Sequence, residues 1–201
     1  MRGFVNKQAL QFLLPLLMLI MAMEWMHPWA LEWLEYQRYA VREWQLWRLL
    51  TAHFVHLTPW HMAMNLASLI VVWIGFLRGW TAWRLWSLVF LGSVFISFLI
   101  LITDPELSGY AGFSGVIYTL LVAGLVQGWH QEPVLTTGIL VAVAVRLGWE
   151  QSIWYDPTYL DSWLHAPVYP NAHLFGAIAG GLFAFCVRLP RSRFWSVRDR
   201  Q

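Results

Sequence analysis

The sequence predicts an all-α polytopic membrane protein, built as a bundle of six transmembrane helices with a long amphipathic first outer loop. Of its 201 residues, 59% are hydrophobic and only 12% are charged, whereas a soluble domain carries roughly 25% charged residues. The charges lie between the apolar runs rather than along one face of them. We therefore expect one membrane domain over residues 1–201 and no separate soluble domain.

Six apolar segments approach the roughly 20 residues that cross a bilayer core. They are 9–29, 60–77, 83–102, 112–129, 134–154 and 172–189. Between the first two segments, residues 31–59 mix charged and aromatic side chains and are too polar to span. Such a mixture is typical of a segment in the headgroup layer, and this is where we expect the first outer loop.

The distribution of charge predicts the orientation of the bundle. Six spans put both termini on one side, and that side carries Arg2, Lys7, Arg78, Arg84, Arg188, Arg191, Arg193, Arg198 and Arg200. The other side carries Glu24, Glu32, Glu35, Glu43, Asp104, Glu106, Asp156 and Asp161, with Arg38, Arg42 and Arg48 as exceptions. The positive-inside rule then places both termini in the cytoplasm. The second, fourth and sixth spans begin at the outer face, so Ser114 and His173 share a leaflet.

The fourth span opens with the run Gly112-Phe113-Ser114-Gly115. We expect Ser114 about one turn inside the helix, where backbone N–H groups lack partners and the helix dipole favours negative charge. Gly112 and Gly115 would let another backbone or a substrate approach closely. These features predict a nucleophile beside an oxyanion site, although glycine and serine are also common in simple helix contacts within membranes.

The sixth span supplies an imidazole near its start. Ala172, Gly176 and Gly180 form a small-residue stripe suited to tight helix crossing, and His173 lies beside it. If the neighbour is the fourth span, His173 can reach Ser114 at the 2.6–3.2 Å or so that an activated serine requires. Tyr118 lies four residues after Ser114 on the same helical face, so its ring can stack on the imidazole.

The second span carries His61 and Asn65, whose spacing puts them on one helical face. Polar donors are costly in a membrane and should point into the bundle, where they could stabilise a developing oxyanion. An alternative is a metal site made from His53, His56 and His61. Because no acidic residue or cysteine supplements them in the nearby spans, we expect no metal and no cofactor.

Glu150 is the one candidate for an acidic partner of the serine and histidine. Arg146 lies one helical turn earlier, so an i, i+4 ion pair is the simplest explanation of this carboxylate. Substrate recognition is a second role open to it. The sequence therefore predicts a two-residue Ser–His dyad, with its base oriented by packing rather than by a carboxylate.

Taken together, these motifs resemble the rhomboid family of intramembrane serine proteases, in order and over nearly the whole chain. They are Trp47-Arg48 and His56 in the first outer loop, His61-x-x-x-Asn65, Gly112-x-Ser114-Gly115 with Tyr118, and Ala172-His173-x-x-Gly176-x-x-x-Gly180. The resemblance implies a rhomboid-like six-helix bundle. It also implies membrane-anchored protein substrates in a lipid bilayer, and no nucleic-acid partner.

The resemblance also implies roles for individual residues. Ser114 would be the nucleophile and His173 the general base and acid, while Asn65, His61 and the Ser114 N–H would hold the oxyanion. Within the family, residues 146–151 and 172–176 are most similar to the rhombosortase branch. That branch implies a bacterial inner membrane, a site open to the periplasm, and clients with a C-terminal Gly-Gly anchor signal.

Two other classes of function remain open at this point. One is a catalytically inactive relative that binds client helices without cutting them; such a protein would be expected to lack Ser114 or His173, and this chain has both. The other is the histidine-based metal-binding membrane protein described above.

Overall fold

The computed structural model describes residues 9–158 and 168–187, and this part of the chain is mostly helical. Its α-helices are α1 (Leu14–Trp25), α2 (Trp29–Leu34), α3 (Arg38–Arg42), α4 (Arg48–Thr51), α5 (Pro59–Val72), α6 (Ala82–Thr103), α7 (Ser114–Gly128), α8 (Pro133–Glu150) and α9 (Pro170–Cys186). Two π-helical segments, Ala9–Leu13 and Trp73–Leu77, adjoin α1 and α5, and a 3₁₀ turn covers Ala52–Phe54.

Three helical segments of the described chain are long and apolar enough to cross a membrane: Pro59–Leu77, Ala82–Thr103 and Pro133–Glu150. The other three predicted spans correspond to shorter apolar helices, Gln11–Trp25, Ser114–Gly128 and Pro170–Cys186. Each of the six apolar segments therefore forms a helix, and three of them reach the full length for spanning.

The first apolar segment ends earlier than the sequence predicts. Helix α1 stops at Trp25, and a turn separates it from α2. Pro28 has no N–H to donate and disfavours helical backbone at His27, which accounts for an end four residues before the predicted boundary at residue 29. Residues 29–54 form short helices, one short strand and turns, and α8 ends at Glu150 rather than at residue 154.

Helix α6 lies in the core, with fully buried Leu85, Ile96 and Ile100. The last carbonyls of a helix have few backbone partners, and at the end of α6 the Arg38 guanidinium donates to the carbonyls of Ile100 and Leu101 at 2.9 Å each. The same guanidinium also donates to the carbonyls of Asp104 and Leu107. Arg38 thus connects the segment between α1 and α5 to the end of α6.

A small antiparallel ladder continues this attachment. Strand β1 (Tyr36–Gln37) pairs with β2 (Gly109–Tyr110), and Tyr36 lies opposite Tyr110. Strand β2 comes directly before the segment that leads into α7. The segment between α1 and α5 is therefore hydrogen-bonded to the chain just ahead of Ser114.

Helices α7 and α9 cross at the predicted small-residue stripe. A Cβ added to Gly115 would lie 2.7 Å from the carbonyl oxygen of Ala172. Added Cβ atoms on Gly176 and Gly180 would collide with the carbonyl oxygens of Gly115 and Thr119 respectively. Only residues without a side chain allow two helix backbones to come this close, and the contact lies beside Ser114 and His173.

Some residues used for the predicted orientation lie outside the described chain. They are Arg2, Lys7, Asp161 and the arginines at positions 188, 191, 193, 198 and 200. The last two residues of the predicted sixth span, 188 and 189, also lie outside it.

Candidate active site

Ser114 is the first residue of α7, not one turn inside the helix as predicted. The reason is Gly112, whose φ of 135° is incompatible with helical backbone. The Gly112 N–H donates to the Ala52 carbonyl at 3.0 Å, and the Tyr110 hydroxyl donates to the Gly112 carbonyl at 2.8 Å. These bonds fix the backbone immediately before a half-buried serine at a helix N-terminus.

His173 is the fourth residue of α9 and is buried. Its Nε2 atom lies 2.9 Å from Ser114 Oγ, within hydrogen-bond distance. The crossing of α7 and α9 brings the two side chains together, since Gly115 and Ala172 each adjoin one of them. The structure therefore places an imidazole nitrogen where it can accept the serine proton.

Tyr118 lies one turn after Ser114 on α7 and covers one face of the imidazole. The Tyr118 and His173 rings stack with centroids 4.8 Å apart and planes 27° from parallel. Stacking restricts rotation of the imidazole about its own axis. This contact helps to keep Nε2 directed at the serine.

Glu150 touches the other ring nitrogen, which the sequence did not predict. Its Oε2 lies 2.9 Å from His173 Nδ1, while its Oε1 accepts from Arg146 Nε at 2.9 Å. The predicted ion pair with Arg146 exists, and the same carboxylate also contacts the imidazole, which brings Glu150 to the Ser114 site. The contact between α8 and α9 has no signature in local spacing, so the sequence could not show it.

His61 and Asn65 lie in the first half of α5, whose N-terminus is capped by Thr58 Oγ1 accepting from the His61 N–H at 3.2 Å. Asn65 is buried and donates from Nδ2 to the His61 carbonyl at 3.1 Å. A Cβ on Gly112 would lie 2.7 Å from His61 Cε1. The glycine therefore allows the His61 ring to pack against the loop that carries Ser114.

His53 and His56 lie between α4 and α5 and are both buried. His53 Nε2 lies 2.9 Å from Ser97 Oγ, and the His56 ring meets the His61 ring edge to face at 5.1 Å. Burial lowers the pKa of His53 to about 4 and the pKa of His56 to about 3. Across residues 9–158 and 168–187, no three histidine, cysteine or acidic side chains are grouped as metal ligands.

Trp47 and Arg48 stabilise the segment between α1 and α5. Arg48 donates to the carbonyls of Glu32 and Glu35 at 3.0 and 2.7 Å, and Trp47 Nε1 donates to the Trp33 carbonyl at 3.3 Å. Side-chain donors that bond main-chain carbonyls in this way stabilise the local backbone. These two residues support the loop rather than contribute atoms to the Ser114 site.

Two residues of the site were missed altogether by sequence reasoning. Tyr110 and Ala52 hold Gly112 through a hydroxyl and a main-chain carbonyl. A carbonyl contact carries no signal of residue type, and Tyr110 stands apart only by its position just before the Gly112 motif.

Comparison with known families accounts for most of the chain. A family model described as the Rhomboid domain matches residues 43–190, which include every residue of the site described above. No curated protein gave a match. The chain is an integral membrane protein and belongs to the rhomboid family.

Proposed function

We propose that this protein is an intramembrane serine endopeptidase that cleaves client proteins at or near the outer end of a transmembrane segment. The observation that carries the proposal is the 2.9 Å contact between Ser114 Oγ and His173 Nε2. A serine is a weak nucleophile unless an adjacent base removes its proton. Membership of a family of intramembrane proteases supports the same reaction class.

The proposed reaction proceeds through an acyl-enzyme. Ser114 Oγ attacks the scissile carbonyl carbon while His173 Nε2 takes the hydroxyl proton. When the tetrahedral intermediate collapses, the C–N bond breaks and the imidazolium gives its proton to the leaving amine. Water, deprotonated by the same imidazole, then hydrolyses the ester and regenerates Ser114.

The developing negative charge would be held by the start of α7 and by α5. The Ser114 N–H belongs to the first turn of a helix, where donors are free and the dipole favours an anion. Asn65 Nδ2 carries two protons, and the bond to the His61 carbonyl uses one of them. The second proton and the His61 ring are the remaining donors that we assign to the oxyanion.

A second Ser–His pair with the same separation helps to define the assignment. Ser97 Oγ and His53 Nε2 are also 2.9 Å apart, but both residues are fully buried. Ser97 is in the interior of α6, where its N–H is already bonded within the helix. Ser114 differs by being half-buried and first in its helix, so a substrate carbonyl could reach it.

The same proposal includes six spans and an outward-facing site. The six apolar helices, in chain order α1, α5, α6, α7, α8 and α9, would alternate in direction through the bilayer. Positive-inside bias then sets the termini in the cytoplasm and the starts of α5, α7 and α9 at the outer face. A bacterial inner membrane, with the site open to the periplasm, fits this arrangement.

A substrate helix presents a particular difficulty, because its carbonyls are already bonded within the helix. The helix must unwind locally before Ser114 can attack, and glycine lowers the cost of unwinding. We therefore propose clients with small residues near the cut, including exported proteins with a C-terminal Gly-Gly anchor signal. Replacing the two glycines of such a client by leucine should reduce cleavage strongly, while an altered distal half of the anchor should not.

A fluorophosphonate probe tests the nucleophile directly. We expect purified wild-type protein to be labelled, and Ser114→Ala to lose both labelling and cleavage of a model client. We expect His173→Ala to lose most of its labelling by the probe and most of its cleavage of the client. Ser97→Ala is the matched control, since it removes the serine of the other pair and should retain labelling.

Retained labelling in Ser114→Ala, or its loss in Ser97→Ala with an unchanged melting temperature, would overturn the assignment. A wild-type protein that binds client helices but neither labels nor cleaves would instead be an inactive relative.

A further inference from the structure

We infer that Glu150 is a positioning residue for His173, so that the site works as a Ser–His–Glu triad rather than a dyad. This inference rests on the proposed serine protease function and concerns the same site. Its evidence is the 2.9 Å contact between Glu150 Oε2 and His173 Nδ1, on the ring nitrogen opposite the one that faces Ser114.

The location of Glu150 is energetically unfavourable without such a role. The residue is 4% exposed and is the last residue of α8, where the helix dipole disfavours an anion. An exposed ion pair with Arg146 would satisfy the charge without burial, yet the Glu150 side chain is 1% exposed and that of Arg146 is 40% exposed. The carboxylate therefore faces α9 and the imidazole rather than the surroundings of Arg146.

The contact with Glu150 sets the tautomer of the imidazole. An ionised carboxylate only accepts hydrogen bonds, so the ring proton must lie on Nδ1 when this nitrogen faces Oε2. The lone pair is then on Nε2, directed at the Ser114 hydroxyl. This is the tautomer that a general base requires, since Nε2 has to accept the serine proton.

The carboxylate also stabilises the positive charge that forms on His173 during the reaction. His173 is the fourth residue of α9 and lies near the positive end of the helix dipole. That end of the helix disfavours a positively charged imidazolium. Once Nε2 has taken the serine proton, the Glu150 contact becomes an ion pair. Glu150 thereby stabilises the protonated base where the helix alone would oppose it.

Arg146 makes the amide variant informative. Arg146 Nε–H can only donate, so in Glu150→Gln the amide oxygen would be retained on the Arg146 side and the NH₂ group would face His173. Nδ1 would then have to accept, the ring proton would move to Nε2, and the base would be blocked. In Arg146→Met/Glu150→Gln, the amide oxygen is free to turn towards Nδ1–H and restore the productive tautomer.

Steady-state cleavage of a model client measures this effect. We expect Glu150→Gln to lower kcat by up to about 10⁴-fold, the loss typical when a triad carboxylate becomes an amide, with KM and melting temperature near wild type. We expect the double variant to recover kcat by about tenfold or more over Glu150→Gln. A purely structural carboxylate would give the opposite order, because the double variant removes more native contacts.

The matched control is Asp104→Asn. Asp104 Oδ2 accepts from Tyr169 Oη at 2.5 Å and from Asn171 Nδ2 at 3.2 Å, so this carboxylate holds the start of α9 without touching the imidazole. We expect Asp104→Asn to lower the melting temperature and to leave kcat of the folded protein near wild type.

The tautomer itself can be observed without turnover. In protein with ¹⁵N-labelled histidine, the His173 resonances, identified by their loss in His173→Ala, should show the proton on Nδ1 in wild type and on Nε2 in Glu150→Gln. Wild-type kcat in Glu150→Gln, or an Nε2–H tautomer in wild type, would overturn the inference about Glu150. A wild-type protein that fails to label at Ser114 would overturn the protease proposal instead, and the NMR result would stand separately.

Discussion

Asn65 shows how one residue of the site can be tested apart from the fold. Its amide donates to the carbonyl of its own helix and has a second proton to offer. We expect Asn65→Ala to lower kcat by about 10²–10³-fold, which is the usual loss for one oxyanion donor, and to leave KM near wild type. Steady-state cleavage of a model client by purified wild-type and Asn65→Ala protein measures both kcat and KM.

Asn171→Ala serves as the comparison for Asn65, since Asn171 is an amide on α9 that bonds Asp104 instead of facing the site. Equal losses of kcat in both variants would contradict an oxyanion role for Asn65.

At the residue scale, the sequence could predict residues that are marked by their near neighbours in the chain, but not contacts between residues far apart in it. Ser114, His173 and Tyr118 are marked by glycine spacing and by helical periodicity, which are local features of the sequence. Glu150 also has a local explanation in Arg146, four residues earlier, and this explanation concealed its contact with His173. A residue with two partners, one local and one distant, will be misinterpreted from sequence whenever the local partner is sufficient.

At the scale of elements, the crossing of α7 and α9 determines whether the site is assembled. We expect Gly176→Ala to cost about 1–3 kcal/mol of stability, because its new methyl group would meet the Gly115 carbonyl, an immovable backbone atom. Activity should fall as well, since a displacement of about 1 Å at a reacting group can cost about 10²-fold in rate. Thermal unfolding in detergent and client cleavage measure the two effects.

Gly181→Ala is the control on the same helix, because nothing lies within 4 Å of a Cβ added there. Similar losses of stability and activity in the Gly176→Ala and Gly181→Ala variants would contradict a specific role for the crossing of α7 and α9.

The ends of elements were less predictable than their existence. All six apolar segments form helices, but α1 ends at Trp25, three residues before Pro28, which has no N–H to donate. The start of α7 was misplaced for a similar reason, because the positive φ of Gly112 depends on distant partners such as Ala52. Composition reports which side chains tolerate lipid, whereas helix ends depend on which backbone groups find partners.

At the scale of the whole molecule, buried neutral histidines predict sensitivity to acid. Burial lowers the pKa of His53 from about 6.5 in an unfolded chain to about 4, so the unfolded state takes up a proton that the folded state refuses. The contribution of neutral His53 to the free energy of unfolding is therefore fully present above about pH 6.5 and is lost as the pH drops towards 4. We expect the melting temperature to fall between pH 7 and pH 5, with His56 acting in the same direction.

His53→Gln should show a smaller fall in melting temperature over the same pH range, since glutamine can still bond Ser97 but does not titrate. An unchanged slope in this variant would show that other groups are responsible for the acid sensitivity.

The ladder between β1 and β2 has a consequence for how this protein could be controlled. It couples the buried Tyr36, through Tyr110 and Gly112, to the start of the helix that begins with Ser114. A ligand that separated Tyr36 from Tyr110 would loosen the backbone before Ser114 without contacting the serine itself. An inhibitor of this protein could therefore act by disrupting this ladder instead of by reacting with Ser114.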